Sequence, residues 1–241
     1  MIEIANVVLP STKQWQAVIR GMRNPMNSWD KSDSGWYSIG TPGTNPAVAN
    51  DQYQTIKYCL GDNDINLMKR LVKAGKDHSK FMRMIPVYLD ITAPLYFYKE
   101  VDTYKVGTVC NSCSTMHRIH VKEFTLNDFS AEHLDQDNYS LIKAIVARLN
   151  RYRNIYLNGG IIEYPDASRK IFKPKDKDIW WQMIELLPSS YNQKRTYMLN
   201  YEVLANMYKS RKNHKLDEWV EFCKWIETLP YSELITGEFD V

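Results

Sequence analysis

From residue 138 to residue 229 the chain reads as a succession of helix-period apolar stripes separated by breakers. Leu141, Ile145, Val146, Leu149 and Tyr152 fall on one face over 138–157. DIWWQMIELLP (178–188) is a shorter pattern that stops before Pro188. TYMLNYEVLANMYKSR (196–211) is a third. In the fourth, LDEWVEFCKWIETL (216–229), Leu216, Trp219, Val220, Cys223 and Ile226 recur at helical spacing. Earlier, NDINLMKRLVKAGKDH (63–78) predicts a helix stopped at Gly75. FMRMIPVYLDI (81–91) alternates in part and is rich in branched residues, which predicts a strand, with Pro86 favouring an edge or a bulge. A helix is expected next, capped by Thr92, with Pro94 in its first turn and an end near Lys105 before Gly107. Helices outnumber strands and the strands cluster early, which places the chain in the α+β class.

The 241 residues suit a single domain, 1–241, and no stretch reads as a linker or an internal repeat. Residues 24–51, rich in Gly, Pro, Ser, Asn and Asp, predict a long loop. A net charge of +3 is too small to imply a nucleic-acid partner, and the basic runs at 169–178 and 208–215 read as solvated faces or helix ends. No apolar run is long enough for a membrane helix, and the N-terminus lacks the basic start and apolar core of a secretory signal. Cys59, Cys110, Cys113 and Cys223 do not suggest a disulfide scaffold, so a cytoplasmic location is expected. The 16 Tyr and 7 Trp promise a large core or a subunit interface.

Two stretches carry polar groups in places that ask for an explanation. Cys110, Cys113, His117 and His120 are zinc-type ligand residues, but the two pairs are too close together for the usual cage, and no metal is expected. A redox pair lacks its usual strand–helix setting. The Ser, Thr, Asn and Cys side chains of 108–115 fit a loop lining a polar ligand, and equally a turn satisfying its own backbone. In the 196–211 pattern, Asn200, Leu204, Met207 and Arg211 are spaced i, i+4, i+7, i+11 and share a stripe, with roughly 16 Å between the first and the last. A buried Arg211 needs an anion; a helix-end Arg211 simply favours the dipole. Both readings stand. No dinucleotide-binding glycine fingerprint, phosphate loop, nucleophile elbow or zinc-protease motif is present.

The order of these pieces resembles the flavin-dependent thymidylate synthases. GKDHSKFMRMIPVYLDITAPLYFYKEVDTYKVGTVCNSCSTM looks like that family's central block: a His-containing turn, a strand and an Ala-Pro helix start. An Arg-His-Arg triplet follows in the family, and seven residues later a serine. LLPSSYNQKRTYMLNYEVLANMYKSRKNHKLDEW looks like its C-terminal block: a Leu-Pro pair, a helix with two asparagines, and an arginine at its end. The resemblance implies helices packed on a small, mostly antiparallel sheet, FAD as cofactor, and a homotetramer with sites shared between subunits. It implies one-carbon transfer from methylenetetrahydrofolate to a deoxyuridylate-like pyrimidine deoxynucleotide, with NADPH reducing the flavin. By the same matching, His78, Asn200 and Asn206 lie on the cofactor side, and Arg211 binds the nucleotide substrate. The signature triplet is replaced by Thr103, Tyr104 and Lys105; the signature serine falls on Cys113, between Ser112 and Ser114; a further family arginine becomes Ile184. Tyr104 and Lys105 are thus expected to act with Arg211 in catalysis, and Ser112, Cys113 and Ser114 on the substrate. Replacing Arg by Thr removes a bidentate fork, and Lys supplies only a point charge. An altered chemistry on the same scaffold is one expectation; a non-catalytic phage or prophage descendant, acting as a binding or inhibitory protein, is the other.

Overall fold

The computed structural model describes residues 1–39 and 55–239. Its first half runs β1 (Glu3–Val8), α1 (Thr12–Arg23), β2 (Gly35–Ile39), β3 (Thr55–Cys59), α2 (Asp62–Lys73), β4 (Pro86–Pro94), α3 (Leu95–Val101) and β5 (Val109–Ser112). The second half runs α4 (Gln136–Asn158), β6 (Gly160–Glu163), β7 (Arg169–Phe172), α5 (Lys177–Leu186), β8 (Asn192–Asn200), α6 (Tyr201–Arg211), α7 (Asp217–Glu227) and α8 (Glu233–Thr236). Four strands form the central antiparallel sheet in the order β1-β4-β8-β5, and β2–β3 and β6–β7 are separate antiparallel pairs. The α+β expectation, with helices on a small antiparallel sheet, holds.

Period-2 patterning builds the sheet. Val87, Leu89, Ile91 and Ala93 of β4 alternate inward and are fully buried, while Tyr88, Asp90 and Thr92 face outward. Gln193, Tyr197 and Leu199 of β8 continue the buried face. It meets an aromatic layer in which the Phe97 and Trp219 rings lie 4.8 Å apart and Phe222 packs beside them. Outside, Asp90 accepts from Thr196 Oγ1 at 2.6 Å, from Asn6 Nδ2 at 2.8 Å and from Lys194 Nζ at 2.9 Å. Asn6 reaches it from a left-handed backbone position (φ 51°) where the β1 register shifts. A second core joins α4 and α5 through Ile142, Leu149 and Met183.

Several expected boundaries move. Lys80–Met84 is a 3₁₀ turn, so the strand begins only at Pro86. β4 is an interior strand, not an edge; Pro86 is tolerated because it is the strand's first residue. The helix expected from Thr92 starts at Leu95, because Thr92 and Ala93 pair with Lys194 and Gln193; Thr92 is not its cap, and it ends at Val101 rather than Lys105. Pro94 is the capping residue, and the free N–H groups of Leu95 and Tyr96 donate to the carbonyls of Tyr191 and Ser189. The helical reading of 196–211 is wrong for its first five residues: Asn192–Asn200 is a strand paired on both sides. Strands therefore do not all cluster early. Within the segment expected as a loop, Asn24–Met26 and Trp29–Lys31 are 3₁₀ turns and Gly35–Ile39 is β2; 40–51 lies outside the described residues.

The 28–34 segment is held by a buried ion pair. Arg23 Nε donates to Asp64 Oδ1 at 2.5 Å, with both side chains nearly inaccessible. Asp64 Oδ2 accepts from Ser32 Oγ and Ser34 Oγ at 2.6 Å each. The remaining Arg23 N–H groups bond the carbonyls of Ser28 and Lys31. Asp33 caps α2 through the N–H groups of Asn63 and Asp64.

Candidate functional site

Strand β8 runs straight into helix α6, and the candidate site is arranged around that junction. Asn200 ends the strand and caps the helix: its Oδ1 accepts from Val203 N at 3.0 Å. Its Nδ2 donates to Gly107 O at 3.5 Å. The residue is buried, and both ends of the amide are engaged within the chain. Leu204 and Met207 are fully buried in the core. The stripe from Asn200 to Arg211 therefore does not face a cleft: its middle is packed and its first member is a cap. The turn Asn200 supports carries Tyr104, Lys105 and Gly107. Gly107 has φ +78°, and a Cβ there would stand 2.6 Å from Asn200 Nδ2. Gly107→Ala is expected to cost about 1–2 kcal/mol through backbone strain and displacement of the cap, read as a lowered thermal midpoint. An unchanged midpoint would mean that this turn is not fixed by Asn200.

At the far end of α6, Arg211 and Tyr104 come together. Arg211 Nε donates to Tyr104 Oη at 3.1 Å, and its Nη1 pairs with Glu100 Oε2 at 2.8 Å. The guanidinium carbon lies 5.1 Å from the centre of the Trp219 ring. Glu100 Oε2 also accepts from Trp219 Nε1 at 2.7 Å and lies 3.4 Å from His214 Nε2. Thus Arg211 is an oriented cation whose counter-ion is supplied by α3. The Arg211 and Glu100 side chains are 22% and 31% exposed, so the pair opens to solvent on one side. Lys105, the next residue after Tyr104, is exposed.

Ser112, Cys113 and Ser114 are exposed at the sheet edge. Cys110 and Ser112 lie on β5, opposite Tyr197 and Arg195. Cys113 continues the pairing: its N–H donates to Lys194 O at 2.9 Å, and its carbonyl accepts from Gln193 Nε2 at 2.7 Å. Ser114 Oγ accepts from His117 N at 2.9 Å, a local turn bond. The extended backbone of β5 points away from a compact cage, and no group of three or more metal-ligating side chains occurs among the described residues. All four cysteines are free thiols.

Arg195 was not anticipated. It stacks on the Tyr98 ring, 3.9 Å from its centre, and bonds Gln193 Oε1 at 2.8 Å, Asp102 Oδ1 at 2.7 Å and Tyr197 Oη at 3.3 Å. Alternation in NQKRTYMLN would have placed Gln193, Arg195 and Tyr197 on one inward face, had the stretch been read as a strand. Burial raises the Tyr197 and Tyr98 pKa values, so both stay neutral hydroxyls beside this cation.

On its other side α6 forms one wall of a cavity of about 390 Å³, lined by Gly75, Lys76, Ser79, Asn206, Lys209 and Lys212 among others. Asn206 is half-buried in that wall. His78 is exposed on the adjoining turn, where its N–H donates to Gly75 O at 3.0 Å. The predicted residues therefore fall into two groups, one on each side of α6: Asn206 with the His78 turn, and Arg211 with Tyr104 and Lys105. Of Ser112, Cys113 and Ser114, Cys113 is linked through its carbonyl to Gln193, and through Gln193 and Arg195 to Asp102, two residues before Tyr104. A larger cavity of about 600 Å³, near Arg23, Lys31 and Arg70, contains none of them.

No family model matches the chain, and no curated protein does. Solved structures do. The flavin-dependent thymidylate synthase ThyX of Helicobacter pylori, complexed with FAD and dUMP, superposes with a TM-score of 0.60 over 98% of each chain at 14% identity. A second structure of Helicobacter pylori ThyX with FAD and dUMP gives 0.61, also over 98% of each chain, at 13% identity. The chain has the flavin-dependent thymidylate synthase fold. Among the described residues no helix is long and apolar enough to cross a membrane.

Proposed function

We propose that the chain is a flavin-dependent enzyme of pyrimidine-nucleotide metabolism, transferring a one-carbon unit to a deoxyuridylate-like substrate. The observation that carries this reading is Arg211, held by Glu100 and Tyr104 at an opening of a fold whose solved examples are complexed with FAD and dUMP. Arg211 takes the nucleotide phosphate. Tyr104 fixes the guanidinium and, with Lys105, approaches the base or phosphate. Ser112, Cys113 and Ser114 offer hydrogen bonds at the sheet edge, the side chain of Ser114 only after leaving its turn. Asn200 works at one remove, by holding the turn that carries Lys105.

The flavin side is the cavity of Asn206. Its mixture of apolar walls, amide, hydroxyl and ammonium groups fits part of an anionic aromatic cofactor, and its volume falls short of a whole dinucleotide. A second copy of the chain supplies the remainder, in a homotetramer with shared sites. Bound FAD, reduced by NADPH, supplies the reducing equivalents for a methylene unit drawn from methylenetetrahydrofolate. Asn206 and His78 orient the cofactor, and Lys76, Lys209 and Lys212 balance its charge.

The spectrum of the purified protein tests this. Flavin bands between about 350 and 500 nm, present as isolated or developing with saturation when FAD is added, are expected. A colourless protein that leaves the FAD spectrum unperturbed would support the non-catalytic descendant. Thr103, Tyr104 and Lys105, standing where the resemblance puts the family's Arg-His-Arg triplet, favour that second reading.

A further inference from the structure

We propose that Arg195 is a second anion-binding residue of this site, kept in reserve by Asp102 and passed to the nucleotide phosphate when substrate enters. The inference rests on the nucleotide reading above and adds a residue to it. Three features of Arg195 point to a ligand and not to a purely structural ion pair.

The guanidinium is oriented before any ligand arrives. The Tyr98 ring fixes its plane, and Gln193 and Tyr197 hold Nε and Nη1 from the strand on which Arg195 itself lies. Such ordering removes much of the entropic cost of engaging an anion. The Arg195 side chain is 14% exposed, whereas that of its counter-ion Asp102 is 54% exposed. The cation is built in, and the anion is at the rim. Among the described residues the Nη2 nitrogen has no hydrogen-bond partner, so a donor remains for a second acceptor oxygen.

The position is equally specific. Asp102 is the C-cap of α3 and immediately precedes Thr103, Tyr104 and Lys105. Gln193, which anchors Arg195 Nε, also donates to the Cys113 carbonyl. One guanidinium thus joins the two segments placed on the substrate side. A carboxylate at a helix C-terminus is disfavoured by the dipole, and an exposed one returns to water at little cost. A phosphate monoester carries about −1.5 to −2 charges against one for Asp102, and presents two oxygens to the Nη1–Nη2 edge. Exchange of Asp102 for phosphate is therefore favourable, and it needs only a rim side chain to move.

Calorimetric titration of dUMP and of deoxyuridine into the full-length protein, Arg195→Gln and Asp102→Asn tests this. Arg195→Gln should weaken dUMP at least tenfold and change deoxyuridine less than threefold, because only the phosphate is lost as a partner. Asp102→Asn should tighten dUMP about three- to tenfold, since the reserve anion is gone. That variant also covers the case in which Arg195→Gln fails to fold. Equal dUMP affinities for the parent and Arg195→Gln, or weaker binding by Asp102→Asn, would overturn the proposal. If the parent binds no dUMP, the nucleotide reading fails, and inorganic phosphate becomes the probe. A phosphate-dependent rise in melting temperature confined to proteins with Arg195 keeps the anion site; equal rises, or none, remove it.

Discussion

Asp64→Ala is expected to destabilise the protein by about 3–5 kcal/mol, because it leaves the Arg23 guanidinium buried without its counter-ion. In a chain of this size that corresponds to a fall in melting temperature of roughly 10 °C or more. The loss extends beyond one pair. Asp64 accepts from Ser32, Ser34 and Arg23, and Arg23 holds the carbonyls of Ser28 and Lys31, so the turn between α1 and β2 loses its organising anion. Burial alone would raise the Asp64 pKa; the hydroxyls of Ser32 and Ser34 and the Arg23 guanidinium outweigh it and hold it below the ordinary value. The contribution is therefore complete at neutral pH, and is lost only as pH falls through that depressed value. A double replacement, Arg23→Met with Asp64→Leu, should recover part of the loss, since apolar side chains of similar size need no partner. Calorimetric melts of the three proteins check both statements. A single variant within about 1 kcal/mol of the parent would show that the pair contributes little.

Arg211→Ala is expected to weaken dUMP binding at least tenfold while leaving the fold intact. The side chain lies at the end of α6, and removing it leaves Glu100 with the Trp219 N–H at 2.7 Å and a route to water. Glu100 is not thereby stranded as a buried charge, so the stability cost should stay near 1 kcal/mol. Glu100→Gln is the informative companion. It should free Arg211 for a ligand anion while keeping an acceptor for Trp219, and so should bind dUMP at least as tightly as the parent. Titration calorimetry, with thermal melts as a folding control, measures both. Unchanged affinity in Arg211→Ala would remove Arg211 from the site, whatever the flavin spectrum shows.

The helices legible in the sequence were those in which one stripe is apolar and both ends carry a signal. The 138–157 pattern became Gln136–Asn158, capped by Asp135 and ended by Gly159 at φ +74°. The 216–229 pattern became Asp217–Glu227, with Trp219 and Cys223 inward. The 196–211 pattern misled because its first residues serve two periods at once. Asn200 starts the helical stripe with Leu204, Met207 and Arg211, and it also ends a run in which Tyr197 and Leu199 alternate as a strand. Only the flanking strands β4 and β5, far away in sequence, made the strand the better use of those backbone groups.

The same limit applies to the candidate site. Local pattern and residue type were enough to specify the α+β class, most of the helices and Arg211, whereas Tyr104, Lys105, Asn206 and His78 came only through the family resemblance. Which of them meet depended on chain reversal. Glu100 closes on Arg211 and Trp219, and Asp102 closes on Arg195, across about a hundred residues of sequence, and hydrophobic periodicity carries no record of contacts at that range. Tertiary structure also decided that Asn200 caps α6, and that Arg195 faces inward beneath the sheet edge. An amide or a guanidinium takes its role from whichever partners the folded chain brings within hydrogen-bond reach, and that is settled by the packing of the sheet against α3, α6 and α7.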